Sequence, residues 1–181
     1  MANVVGPQGR VEQLYTLTVK IDSREKQALP FPDHIKVHLR RSKTATLIKI
    51  KKEVDTLKTG DYTLLGFERV CLIETKRSAQ EVYENLLTGD FRRSSRAFER
   101  LSSECKHPVL VCEFSQCDLF KDEYPGLPDA LAWAVAHYGL GIWFAGPRSG
   151  VSARAKTADC ALRLMIAAVE LEYPNFLHGD S

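Results

Sequence analysis

The chain has 181 residues, 44% of them hydrophobic and 27% charged, which excludes wholesale disorder and fits one domain with a sizeable core. A net charge of +2 excludes a global electrostatic field, so any contact with nucleic acid has to come from local clusters. No apolar run approaches a membrane span and no basic-then-apolar leader opens the chain. The expectation is a soluble intracellular protein, cytoplasmic or nucleoid-associated (nuclear in a eukaryote), with no membrane partner.

In chain order, residues 1–14 carry Gly6, Pro7 and Gly9 with little periodicity and read as a flexible leader. Tyr15 to Ile21 is β-branched and alternating, a first strand that runs into Asp22-Ser23-Arg24-Glu25. Polar residues at a strand end are where α/β sheets build sites. Between Lys36 and Lys58 lie eight Lys/Arg (36, 40, 41, 43, 49, 51, 52, 58) against Glu53 and Asp55, a surplus of six positive charges. Ile48 and Ile50 alternate there with Lys49 and Lys51, as in a strand with one apolar and one cationic face. A cationic strand face also occurs as plain edge protection; here it leads into Gly60-Asp61-Tyr62, which favours phosphate contact.

Residues 62–65 and 70–73 are two short apolar runs around Gly66-Phe67, a candidate hairpin with a loop of about four residues. Such a hairpin stands Asp61 beside Glu74 on neighbouring strands. Alternation points Glu74 and Lys76 one way and Thr75 the other. Two carboxylates and an ammonium at a strand end can hold a hard divalent cation next to a phosphate. Ordinary surface charges on an exposed hairpin would look the same, and the acidic element at 22–25 weighs against that.

After Lys76, residues 78–87 read as a short helix capped by Ser78 and broken at Gly89-Asp90. A second helix follows, with Phe91, Ala97, Phe98 and Leu101 inward and Arg92, Arg93, Arg96 and Arg100 elsewhere, suited to phosphate oxygens. Glu99 and Glu104 leave a salt-bridged surface helix open as the alternative. VLVCEF at 109–114 reads as a buried strand, 128–138 as a helix with proline early, 141–146 as a strand, and 147–156 as a basic loop. The glycines around residue 140 lack G-x-G-x-x-G order and precede a strand, so they make no nucleotide loop. Residues 157–173 form an amphipathic helix with Ala161, Leu164, Met165, Ala168 and Leu171 on one stripe. The five cysteines (71, 105, 112, 117, 160) contain no C-x-x-C, so reduced thiols are expected rather than zinc at Cys112, Cys117 and His107. The expected architecture is α/β, a mixed central sheet with helices on its faces, over 15–173, with 174–181 a short tail.

With IDSREK, GDY and IETK in that order, the chain resembles the nuclease domain of the XPF-like structure-selective endonucleases, in the PD-(D/E)xK superfamily with its restriction-endonuclease-like fold. Asp22, Arg24 and Glu25 match the family's first acidic motif, Gly60-Asp61-Tyr62 its second, and Glu74 and Lys76 the outer residues of its Glu-Arg-Lys motif. Thr75 stands where the family has arginine, and Gln80 where it has aspartate. Only residues 174–181 follow the last expected helix, so the tandem helix-hairpin-helix module of many relatives is not expected here.

The resemblance implies an endodeoxyribonuclease dependent on Mg²⁺ or Mn²⁺ that acts on branched, flap or fork DNA in repair and recombination. Asp61 and Glu74 would hold the metal, with the Thr75 carbonyl and Asp22 as further ligands and Glu25 assisting through water or a second metal. Lys76 would orient water or offset phosphate charge. Arg24, Arg77, Arg92, Arg93, Arg96, Lys49 and Lys51 would hold the DNA backbone. Relatives pair through their nuclease domains, which implies a homodimer or pairing with a second nuclease-like or helix-hairpin-helix protein. Two other readings stay open: a DNA-binding scaffold of this fold that no longer cuts, and a protein-interaction module with a charged sheet edge.

Overall fold

The computed structural model describes residues 2–5, 11–40, 45–89, 91–146 and 150–177. Arg41 and Lys43 of the basic segment, and residues 147–149 of the expected basic loop, lie outside the described residues. The strands are β1 (Ala2–Val5), β2 (Val11–Asp22), β3 (His34–Val37), β4 (Thr46–Asp55), β5 (Tyr62–Leu64), β6 (Cys71–Lys76), β7 (His107–Cys112) and β8 (Gly141–Phe144). The helices are α1 (Ala79–Tyr83), α2 (Phe91–Glu104), α3 (Leu127–Tyr138) and α4 (Gly150–Glu172). A π-helical turn, Glu84–Thr88, joins α1 towards α2.

The strands lie in the order β3-β4-β2-β5-β6-β7-β8, with β1 paired to the start of β2. Strands β4, β2, β6, β7 and β8 run one way; β3 and β5 run against them. The carboxyl ends of β2 and β6 and the start of β5 therefore share one edge of the sheet. The mixed α/β fold expected from the order of elements is the fold observed.

Alternation sorts the side chains onto two faces. On one, Leu17, Val19, Ile21, Tyr62, Leu64, Ile73 and Val111 pack with Ala158, Leu162, Met165 and Ile166 of α4. On the other, Leu72, Leu110 and Cys112 pack with Val82, Phe98, Leu101, Leu127 and Leu131 of the segment spanning α1 to α3. Helices cover this second face only over β6 to β8. Among the described residues no helix covers it over β2 and β4, and Thr16, Lys49 and Lys51 stand exposed on it. Ile48 and Ile50, 0% and 3% exposed, fill the opposite side, so the two-faced strand read from the sequence is present.

Some elements differ from the sequence reading. Residues 2–5 pair antiparallel with 11–14, so backbone read as leader is hydrogen-bonded in the sheet. The hairpin forms, with Tyr62 opposite Ile73, but its connection spans residues 65–70, because the chain turns at Gly66 (φ +84°) and again through Phe67, whose carbonyl accepts from the Val70 and Cys71 N–H groups. Residues 150–156 are the first turns of α4 rather than loop; Ala153, Ala155 and Lys156 are good helix formers, and charge alone obscured them. Leu171 is 59% exposed, not in the core stripe. A 23-residue helix is about 35 Å long and overruns the short strands it crosses.

Gly60 sets the entry to β5. Its φ is +76°, and a Cβ there would stand 3.2 Å from the Ile73 carbonyl oxygen. Only glycine takes this left-handed turn without strain. Gly60→Ala is expected to lower unfolding free energy by about 1–2 kcal/mol, read as a lower urea midpoint at unchanged slope.

Candidate active site

The shared sheet edge opens into a cleft of about 560 Å³ bordered by Asp22, Arg24, Glu25, Asp61, Glu74 and Lys76. Asp61 is placed by its own backbone. Its N–H donates to the Ile73 carbonyl (2.7 Å), and its carbonyl accepts from the Asp22 N–H (2.8 Å), so one residue spans β2 and β6. The registers Ile21–Tyr62 and Tyr62–Ile73 then set Asp22, Asp61 and Glu74 side by side on the face that carries α1 and α2.

The three carboxylates are not equivalent. Asp22 is 2% exposed and takes four donors: the Arg24 N–H (2.7 Å), Nε (2.8 Å) and Nη2 (2.6 Å), and the Leu57 N–H (3.2 Å). The Arg24 guanidinium holds the Asp22 carboxyl below the usual range against the opposing effect of burial. Arg24 also donates to the Leu57 carbonyl at 2.7 Å, so this pair fastens the 22–25 turn to the segment after β4. As a metal ligand Asp22 would have to give up bonds to Arg24. Its present geometry is that of an anchor.

Among the described residues Asp61 forms no ion pair, and the Lys76 ammonium and Arg24 guanidinium act on it only through space. Its Oδ2 accepts from the Thr75 N–H (2.7 Å) and Oγ1 (2.6 Å), and no described protein group donates to Oδ1. Burial, and then the neighbouring Glu74 charge, push its carboxyl up to about 7, against the two bonds from Thr75. The Thr75 contact brings into the site a side chain that alternation alone points to the opposite face. Alternation does point its Cβ away from Glu74, but the strand's N–H lies in the plane of the sheet. The Asp61 carboxylate occupies that plane where β5 has not yet begun, and the Thr75 hydroxyl reaches it from the far side.

Glu74 Oε1 accepts from Lys76 Nζ at 2.8 Å, and Glu81 Oε1 lies 3.6 Å from the same ammonium. Burial disfavours the charged form of Lys76, but Glu74, Glu81 and Asp61 together outweigh it and raise its pKa, so Lys76 stands as an ammonium. Glu25 is 8% exposed at its side chain and pairs with Arg77, while the Gln27 N–H donates to its Oε1 at 2.6 Å. Arg77 is thereby engaged behind the cleft rather than lining it.

Sequence reasoning missed Glu81. The signal was there: Ser78-x-x-Glu81 is a capping-box pattern, with the Glu81 N–H donating to Ser78 Oγ at 3.1 Å. Glu81 Oε2 reaches back to the Arg77 N–H (2.8 Å), which leaves Oε1 facing Lys76. The expected aspartate at position 80 is absent, and the carboxylate beside the lysine comes from the next residue.

Arg92, Arg93, Arg96 and Arg100 are exposed on α2 and line a shallow hollow of about 420 Å³. Arg93 and Arg100 also border the cleft, so the arginine face is continuous with the carboxylates. Lys49 and Lys51 sit apart from it, on the bare face of β4.

Among the described residues no group of three or more His, Cys, Asp or Glu side chains converges as a metal cage. What the edge offers is Asp61 Oδ1, Glu74 Oε2 and the Thr75 carbonyl, which leaves the strand on the same side as the Thr75 N–H. Two carboxylates with open positions suit Mg²⁺, which keeps several waters and shares a phosphate. The set lacks the His and Cys ligands that structural zinc sites use. The cysteines are all free, and Cys71, Cys105 and Cys112 are buried.

The sequence matches the family model of the ERCC4 domain over residues 21–150, well over half of the chain and across all three motifs. The chain belongs to the ERCC4 domain family. Among solved structures it is similar to XPF from Aeropyrum pernix, at 17% identity and a TM-score of 0.56, over 82% of this chain and 60% of that one. It is likewise similar to XPF from Aeropyrum pernix in complex with DNA, at 16% identity and a TM-score of 0.57, over 86% of this chain and 66% of that one. The chain thus spans less than two thirds of either. No curated protein matches the sequence. The resemblance to the XPF-like nuclease domain read from the three motifs is borne out, and the ERCC4 fold frames the cleft.

The raised Asp61 carboxyl has a consequence for stability without metal. The folded state keeps this proton to about pH 7, whereas the unfolded chain loses it near 3.8. Its stabilising contribution is therefore complete below the lower value and disappears as pH rises through the higher one. With EDTA present, Asp61→Asn should melt several degrees above the parent at pH 8, and the difference should close by pH 4 in thermal denaturation.

Proposed function

We propose that this ERCC4 domain is a DNA endonuclease that hydrolyses phosphodiester bonds with Mg²⁺ or Mn²⁺ and prefers branched, flap or fork DNA. The observation that carries it is the juxtaposition of Asp61, Glu74 and the Lys76 ammonium on one sheet edge, beside an arginine-bearing helix. The similarity to an XPF crystallised with DNA supports DNA as the partner.

Asp61 Oδ1 and Glu74 Oε2 would hold the cation, with the Thr75 carbonyl as a third oxygen. A bound divalent ion supplies a water of lowered pKa and polarises the scissile phosphate. Thr75 fixes the Asp61 carboxylate so that its second oxygen faces the cleft. Lys76, held between Glu74 and Glu81, presents positive charge where it would offset charge growing on the phosphate. Asp22 and Glu25 act by position: Asp22 anchors Arg24, and Glu25 anchors Arg77. Arg93 and Arg100 would take the backbone at the cleft mouth, Arg92 and Arg96 beyond it, and Lys49 and Lys51 a duplex lying over the bare sheet face.

The scaffold reading has one observation in its favour, the full engagement of Asp22, which leaves two carboxylates for metal. It predicts binding to branched DNA without nicking. Labelled flap, fork, four-way and linear duplexes incubated with Mg²⁺, Mn²⁺ or EDTA separate the two. Asp61→Asn, Glu74→Gln and Lys76→Met should each lower single-turnover cleavage by about 100-fold or more while the Kd for DNA holds. Arg92→Ala combined with Arg93→Ala should instead weaken binding to every duplex and reduce the salt slope by up to about 2.

We also propose pairing through the outer faces of α3 and α4, where Trp133 (50% exposed) and Leu171 (59%) face outward. Light scattering at micromolar concentration should return twice the monomer mass, and a monomer value would remove this pairing.

A further inference from the structure

Behind the cleft, on the α4 side of the same strand ends, lies a second set of charged groups. Glu113 follows β7, and its N–H donates to the Lys76 carbonyl at 2.7 Å, so it extends the β6–β7 ladder by one residue. Its side chain is 2% exposed, and its Oε2 takes Arg154 Nε at 3.2 Å. Arg154, from the first turns of α4, uses its Nη2 to donate to the Gln27 carbonyl. The Gln27 N–H in turn donates to Glu25 Oε1, which also pairs with Arg77, the residue after Lys76. The chain of contacts closes on itself: Arg77, Glu25, Gln27, Arg154, Glu113, and back to β6 through the Lys76 carbonyl.

From this closed ring we infer that Arg154 is a positioning residue, which locks the loop between β2 and β3 onto the ends of β6 and β7. Three elements distant in sequence meet at its guanidinium: the 22–33 loop, the end of β7 and the start of α4. Only a planar fork with several donors holds a carboxylate and a backbone carbonyl at once. Without it the loop keeps the Arg24–Asp22 anchor at its start and the Tyr62 hydroxyl bond to the Leu29 N–H, 3.0 Å, further on. Between them, the Gln27 carbonyl would lose the guanidinium bond that helps to fix its amide against Glu25. Arg154 borders neither the cleft nor the arginine face of α2, so its effect on cleavage runs through Glu25 and Arg77. The loss of such outer support to a site commonly costs about 10- to 100-fold in activity.

The inference rests on the nuclease reading for its functional half and on geometry for the other, and the test keeps the halves apart. Amide hydrogen exchange is measured across the intact chain for the parent, Arg154→Ala and Arg154→Lys, with single-turnover cleavage and DNA affinity at several salt concentrations. The expected result is faster exchange in residues 23–29 with unchanged protection in β5 and β6. Cleavage should fall by about tenfold or more at unchanged Kd and salt slope, with Arg154→Lys between parent and alanine variant. The loss should not add to that of Arg77→Ala in the double variant, because both act on Glu25. Unchanged loop exchange overturns the lock, whatever cleavage does. Faster exchange with parental cleavage overturns the positioning role, and a loss confined to Kd and salt slope makes Arg154 a phosphate contact instead. Protection lost across β5 and β6 in both variants assigns Arg154 to global stability and overturns the local role. If the parent itself does not cut, the nuclease reading fails and the exchange comparison alone decides the lock.

Discussion

The site depends on two backbone hydrogen bonds made by one residue. Asp61 donates to Ile73 and accepts from Asp22, so it closes the gap between β2 and β6 at the point where β5 begins. These bonds need a left-handed residue immediately before them and a close pass of the Ile73 carbonyl, and Gly60 meets both conditions. Everything else at the edge follows from register. Once Asp61 is level with Asp22 and Glu74, register brings all three carboxylates to the border of one cleft.

Placing acids so close carries a cost that the structure handles unevenly. Asp22 is paired with Arg24 and held by four donors. Among the described residues the Asp61 carboxylate accepts only from the neutral donors of Thr75, and it lies in the field of Glu74. A carboxyl raised in this way at the edge of a cleft is a functional-site candidate. Lys76 fits the same account from the opposite sign, kept charged by the acids around it although it is nearly buried.

The sheet's second face divides the work between cover and access. Helices α1 to α3 seal it over β6 to β8, and the arginines of α2 line the boundary. Over β2 and β4 no described helix seals it, and lysines alternate with the buried isoleucines. The cleft therefore lies where a covered and an uncovered half-sheet meet, with basic groups on both sides. On the other face packs α4, whose first turns carry Arg154 into the ionic ring beneath the site.

How much of this was legible in the chain depends on the range of the interaction. The sequence by itself determined the local features: the two-faced strand at 46–55, the hairpin that stands Asp61 by Glu74, the amphipathic α2 with its arginines outward, and the three motifs that mark the ERCC4 family. The first three follow from alternation, helical period or turn chemistry within about fifteen residues; the motifs carry a resemblance, not a periodicity. Tertiary structure alone decided which acids are spent and which remain available. Asp22 and Asp61 look alike on paper, but one meets Arg24 and the Leu57 amide while the other meets Thr75, and no period predicts an acceptor lying in the plane of the sheet. Glu81 and Arg154 were hidden for the same reason. One reads as a helix cap and the other as part of a basic loop until β6, β7 and α4 are packed together. Short-range patterning fixes what a side chain can be; contacts between distant segments fix what remains for it to do.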